Sequence, residues 1–85
     1  MEKIHELKIY PEDFEQMLDG SKPFLAIKND KNFQKGDMVQ MKEWNNRWLF
    51  GKEICGVIES VADDKIAGIE KGYAVIFIRI CKVIV

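Results

Sequence analysis

The run YAVIFIRICKVIV, from Tyr73 to Val85, constrains this chain more than any other stretch. It is rich in β-branched residues and nearly continuous in apolar character, and it contains neither proline nor glycine. Such a segment reads as a strand that is central in its sheet or covered on both faces. A strand of that kind needs partners, so the rest of the chain must supply a sheet. Arg79 and Lys82 interrupt the run and read as charges guarding an aggregation-prone strand.

The partners are legible upstream. HELKI alternates His5, Leu7 and Ile9 against Glu6 and Lys8, the period of a strand with one buried face. YPEDFEQMLDG follows with Pro11 at a first helical position, acids in the first turn, Phe14, Met17 and Leu18 at helical spacing, and Gly20 as a stop. Phe24 to Lys28 reads as a second strand, and NDKNFQKGD as a loop closing on a turn. In MVQMKEW, Val39, Met41 and Glu43 alternate with Met38, Gln40, Lys42 and Trp44, NNRW suits a hairpin connection, and FGKEICGVIESV returns as a strand. Gly51 and Gly56 mark bends or bulges within it, and ADDKIAGIEKG reads as a loop with at most one helical turn. The sum is a single α+β domain spanning residues 1–85, with one N-terminal helix and about five strands. Small sheets of this kind close into a β-barrel, with an open sheet as the alternative.

Several function classes fall away. The longest apolar run, Ala74 to Ile78, is far short of the ~18 to 20 residues that cross a bilayer, so no membrane span is expected. The charged opening MEKIHELKIY lacks the apolar centre of a secretory signal, which places the protein in the cytoplasm. Cys55 and Cys81, each flanked by isoleucine, then read as reduced, small core residues with no disulfide. With His5 as the sole histidine and no C-x-x-C spacing, neither a metal nor a cofactor is expected. Glu43, Glu53 and Glu59 lie on predicted strands; one of them could face a binding cleft, but strand carboxylates are expected to be solvated.

A net charge of −1 excludes a globally basic nucleic-acid binder but hides a segregation. Residues 1–20 carry two lysines against six acids; residues 21–52 carry six lysines and Arg47 against three acids. The middle segment also holds five of the nine aromatic residues: Phe24, Phe33, Trp44, Trp48 and Phe50. Cations that hold phosphates, interleaved with rings that stack on bases, suit single-stranded RNA or a nucleotide-like ligand. The candidate ligand residues are Lys22, Lys28, Lys42, Arg47 and Trp48. The competing structural reading places Phe24, Phe33 and Trp44 in the core, with the lysines as a solvated face.

The ordered matches His5 to Ile9, Lys28 to Asp30, Phe33 to Asp37 and Gly68 to Tyr73 resemble the ASCH branch of the PUA-like superfamily. They are most similar to a small uncharacterised bacterial and phage-associated group within it. The resemblance implies a small PUA-like β-barrel beside a helix, with a cleft associated with RNA or modified nucleotides. The branch's signature G-x-K-x-x-E-x-R is matched at Gly20 and Lys22, but Leu25 replaces the glutamate and Ile27 the arginine. That pair grips polar ligands bidentately, and Leu and Ile cannot. Three readings follow, in order: an RNA- or nucleotide-binding module, a protein-interaction domain that has lost the grip and pairs through an edge strand, and a nucleoside amidohydrolase centred on Lys22. For the last, Leu25 removes the hydroxyl the resemblance implies, and a catalytic lysine needs burial or a neighbouring cation.

Overall fold

The computed structural model describes residues 3–45 and 49–84. The elements run β1 (Ile4–Ile9), α1 (Pro11–Asp19), β2 (Phe24–Lys28), β3 (Met38–Trp44), β4 (Leu49–Asp63) and β5 (Tyr73–Ile84). The five strands form one sheet in the order β1-β3-β4-β5-β2. β1 runs parallel to β3, and every other neighbouring pair is antiparallel. The sheet is a curled half-barrel, with β1 and β2 as its two edges.

The curl follows from irregularities in the long strands. The β4–β5 ladder changes register between Cys55 and Gly56 and again between Ile58 and Ser60, leaving Cys81 and Glu59 as extra residues. Each such bulge bends its strand and increases the local twist. Gly56 sits at one of these bulges, as its predicted role requires, and so close to β5 that a Cβ there would collide with Ile78 and the Arg79 carbonyl. β4 is thereby able to pair with β3 in its first part and with β5 along most of its length.

The concave side holds the core. Val39 and Met41 of β3, Ile54 and Ile58 of β4, and Ile76 and Ile78 of β5 point inward at the strand period. α1 lies on this side and buries Phe14 and Met17 completely. Pro11 begins the helix, where its missing N–H is harmless, and Gly20 ends it in the left-handed conformation at φ 80°. Leu18, read as part of the apolar stripe, is exposed instead.

Other expectations need correction. Phe33 is buried as the core reading requires, but Phe24 is half-buried against Phe77, its cross-strand partner, with ring centroids 5.7 Å apart. Trp44 stacks on Tyr10 and is not in the core. Neither cysteine is a core residue: Cys55 is half-buried, and Cys81, the extra residue of a bulge, is exposed. β5 is central as predicted, yet Tyr73 and Phe77 on its convex side stay exposed because no second layer covers that face. The segment from Asp64 to Gly72 contains turns and no helix. No helix among the described residues is long and apolar enough to cross a membrane.

Candidate functional site

A cleft of about 250 Å³ lies between the two edges of the half-barrel. β1 contributes Lys8 and Ile9, and β2 contributes Leu25 and Ile27. Tyr10 and Asp13, at the start of α1, close a third side, and Lys22 enters from the turn between α1 and β2. This location follows from the topology: strands next to each other in sequence stand at opposite edges, and the curl faces those edges across a seam.

Lys22 is the sequence-predicted residue that the cleft contains. Its Nζ lies 3.4 Å from Asp13 Oδ1 and 5.8 Å from the centre of the Phe24 ring, with the side chain 39 % exposed. A part-exposed pair of this kind holds weakly, typically by ~0 to 1 kcal/mol, so an anionic ligand can compete with Asp13. Leu25 and Ile27 supply apolar wall where the resembled signature has a charged pair. Tyr10 carries the one hydroxyl among the lining side chains.

The other candidates are elsewhere. Lys28 ends β2 on the exposed side, opposite Tyr73. Lys42 lies on the convex face of β3, with its Nζ 3.3 Å from Glu6 Oε1. Arg47 and Trp48, with the NNRW hairpin tip, fall outside the described residues. The second cation at the cleft, beside Lys22 and its partner Asp13, is Lys8, which the sequence reading treated as a solvated strand position. Its Nζ stands 5.5 Å from the centre of the Trp44 ring, a cation–π arrangement. Trp44 in turn stacks on Tyr10 at 5.9 Å, so an exposed ring backed by a half-buried one forms part of the cleft wall. A two-strand register that pairs Lys8 with Lys42, one residue pair from Trp44, is a tertiary fact that charge counting along the chain does not reveal.

A second polar cluster gives the short motifs around His5 and Asp37 a structural role. His5 Nε2 donates to Asp37 Oδ2 at 2.8 Å, and both side chains are nearly fully buried. Asp37 also accepts the backbone N–H groups of Gln34 at 3.1 Å and Lys3 at 3.4 Å. The hydrogen bond from His5 holds the Asp37 carboxyl below its ordinary value against the opposing effect of burial, and the Gln34 and Lys3 N–H groups assist. The His5 ring packs on Phe33 at 4.6 Å. In the neighbouring loop, Asn29 Oδ1 accepts the Phe33 N–H, and the Asn29 N–H donates to Gly72. These groups clasp the 29–37 loop to β1 and to the turn that enters β5.

A larger hollow, about 430 Å³, lies along that loop and is lined by Asn29, Asn32, Gln34, Ser60 and Asp63 among others. Its amides are engaged locally, with Gln34 Nε2 donating to Asn32 Oδ1 at 3.0 Å. No group of three or more metal-ligating side chains occurs among the described residues. The seam cleft, which joins two cations and Asp13 to apolar and aromatic walls, is the better candidate for a ligand.

The chain belongs to the family described as a domain of unknown function (DUF3850), whose model matches residues 4–78. It is also similar to the uncharacterized 12.9 kDa protein in the GpA 3′ region of Escherichia phage P2, at 33 % identity over 63 residues. That match covers 74 % of this chain and 58 % of the phage protein, so the shared region spans under two thirds of the relative's length. The matched family segment contains both the seam cleft and the His5–Asp37 clasp.

Proposed function

We propose that this domain is a PUA-like module of the ASCH type that binds single-stranded RNA or a nucleotide-like ligand in the seam cleft. The observation that carries the reading is the convergence of Lys8 and Lys22 on a cleft otherwise lined by Tyr10, the apolar Ile9, Leu25, Ala26 and Ile27, and Asp13, which pairs with Lys22. The cations suit phosphate, and flat or apolar walls suit a base. The curled half-barrel with one short helix is compatible with a small α+β barrel-like fold, the coarse architecture this reading calls for. With Leu25 and Ile27 in place of a charged pair, affinity rests on the lysines and on stacking.

The test is an amide NMR titration with short single-stranded RNAs at two salt concentrations. Binding in the cleft shifts Lys8, Ile9, Tyr10 and Lys22, and its affinity falls as salt rises because phosphate contacts release counterions. An unchanged spectrum, or shifts confined to the 29–37 loop, would rule the reading out.

A second reading, a protein partner paired to a sheet edge, is favoured by β5. Its pairing with β2 ends at Phe77, and the Ile78 N–H donates to the Pro23 carbonyl. Among the described residues, 79–84 therefore pair with β4 on one side and with no strand on the other, and Val83 and Ile84 are exposed there. A partner strand there would slow amide exchange at residues 79–84 and leave the cleft amides unaffected.

A further inference from the structure

The two charges that interrupt the last strand have no part in the cleft. β5 carries Arg79 and Lys82 and no acidic residue. Three positions apart, they would point to opposite faces of a regular strand, because successive side chains alternate. The ladder places them otherwise. Arg79 stands opposite Val57 and Lys82 opposite Cys55, two positions apart on β4, and the register shift leaves Cys81 as the extra residue between them. Ile78 and Val83 stand opposite Ile58 and Ile54, which are fully buried, so these two mark the core side. Arg79 and Lys82 therefore share the convex face, about 7 Å apart along the strand. The bulge at Cys81 brings into line two cations that a regular strand would separate.

Both stand on the part of β5 that has β4 on one side and, among the described residues, no strand on the other. The backbone there offers a ladder to an added strand. Ile80 is covered by the core only in part and Val83 is exposed, so an added strand would also bury apolar surface on the concave side. Neither cation is firmly held. Arg79 Nε lies 4.0 Å from Glu59 Oε1, with both side chains more than half exposed, a pair that a competing anion displaces readily. Lys82 has no ion pair among the described residues. Glu53, the other acid of β4 near this edge, stands between Ile84 on one side and Lys42 on the other.

We infer that this edge takes an extended segment of a partner protein whose sequence reads acid-apolar-acid. The inference rests on the edge-pairing reading above and names the partner within it. In a strand that follows the bulge as β4 does, residues two apart fall opposite Arg79 and Lys82, and the residue between them turns inward beside Ile80. Acids at the two outer positions and an apolar residue at the middle one complement all three. A second copy does not supply this pattern through the same edge, because its β5 holds the same two cations and no acid, and like charges oppose pairing. One device thus keeps copies of the chain apart and selects an acidic partner.

The experiment titrates the full chain with three synthetic peptides, GTVEVEVTG, GTVQVQVTG and GTVKVKVTG, and follows amide shifts and hydrogen exchange at residues 79–84 at two salt concentrations. The glutamate peptide is expected to slow exchange there and to bind about tenfold more tightly than the glutamine peptide, with the lysine peptide weakest and the differences shrinking as salt rises. The double variant Arg79→Glu/Lys82→Glu is expected to invert that order, with thermal melting as the check that it folds. Arg79→Gln/Lys82→Gln, which adds no new charge, is expected to bind all three peptides alike. Equal binding of the three peptides to the unaltered edge would overturn acid selection and leave edge pairing standing, whereas no change at 79–84 with any peptide would remove both. Glutamate-peptide shifts at Lys8 and Lys22 in place of the edge, self-pairing of the free chain through 79–84, or protection of 79–84 by single-stranded RNA would each overturn the inference.

Discussion

Replacing Gly56 with alanine separates a local account of the fold from a tertiary one, because the two disagree in sign. By intrinsic preference, glycine inside a strand is roughly 0.5–1 kcal/mol worse than alanine, so the substitution should stabilise β4. The packing says otherwise. A Cβ at residue 56 would lie 2.6 Å from Ile78 Cγ2 and 2.8 Å from the Arg79 carbonyl oxygen. Ordinary carbon contacts begin at ~3.5 Å, so each neighbour would have to retreat by the better part of an ångström. Ile78 is buried in the core and the Arg79 carbonyl belongs to the β5 backbone, so neither can swing aside. Relief requires parting β4 from β5 at the bulge that curls the sheet. Overpacking of this kind costs about 1–3 kcal/mol, and with unyielding neighbours the upper part of that range applies. After the propensity gain, a net loss of about 1–2 kcal/mol remains, equivalent to a fall of roughly 5–15 °C in melting temperature for a domain of this size. Thermal unfolding followed by circular dichroism, with a urea midpoint as a cross-check, measures it directly. A melting temperature equal to or above that of the wild type would refute the close β4–β5 approach and the origin of the curl with it.

Gly20→Ala provides a contrast, since a Cβ there meets nothing within 4 Å and the whole penalty is backbone strain at φ 80°; calorimetry should find a loss of about 1 kcal/mol and no change in the cleft amides. Asp37→Asn should destabilise the fold near neutrality by about 1–3 kcal/mol, because the charged acceptor for His5 and two backbone N–H groups is replaced. Since the folded-state pKa of Asp37 is depressed, its contribution is fully present above the ordinary carboxylate value of ~3.9 and disappears as pH falls through the lower folded value. The stability gap between wild type and Asp37→Asn in urea titrations should therefore close below about pH 4, and a gap independent of pH would contradict the depressed carboxyl. Charge reversal at Lys8 or Lys22 should weaken RNA binding and lower the salt slope by about 1 for each phosphate that is no longer neutralised, whereas Lys28→Glu, away from the cleft, should leave both nearly unchanged; equal effects at all three would disperse the binding surface.

Much of the fold was legible because it is written in local periodicities. The alternation of His5 and Ile9 with Glu6 and Lys8, the Pro11-to-Gly20 helix bounded by its own punctuation, and Gly56 at a bulge each depend on residues a few positions apart. The same alternation placed Glu43 on one face with Val39 and Met41, which was the available signal that it faces inward. Composition argued for solvation there, and tertiary position overrode it. The cysteines went the other way: apolar neighbours suggested the core, but a bulge turned Cys81 to the surface.

The candidate site was harder to read. Of the five residues chosen from charge and aromatic clustering, the structure brings Lys22 to the cleft, places Lys28 and Lys42 on other surfaces, and leaves Arg47 and Trp48 undescribed. Lys8, Tyr10 and Trp44 join Lys22 because β1 pairs with β3, thirty or more residues away in the chain, and because the sheet's curl carries β2 round to face β1.

By itself, then, the sequence determined the number and kind of elements and most of the faces they bury, since side-chain period and turn chemistry act over a few residues. Only the tertiary structure decided which charges share a surface, that His5, Phe33 and Asp37 form one clasp, and that Glu43 lies buried on the core side of β3. Strand order and register set those juxtapositions, and they emerge from the cooperative packing of the whole sheet and have no local signature in the chain.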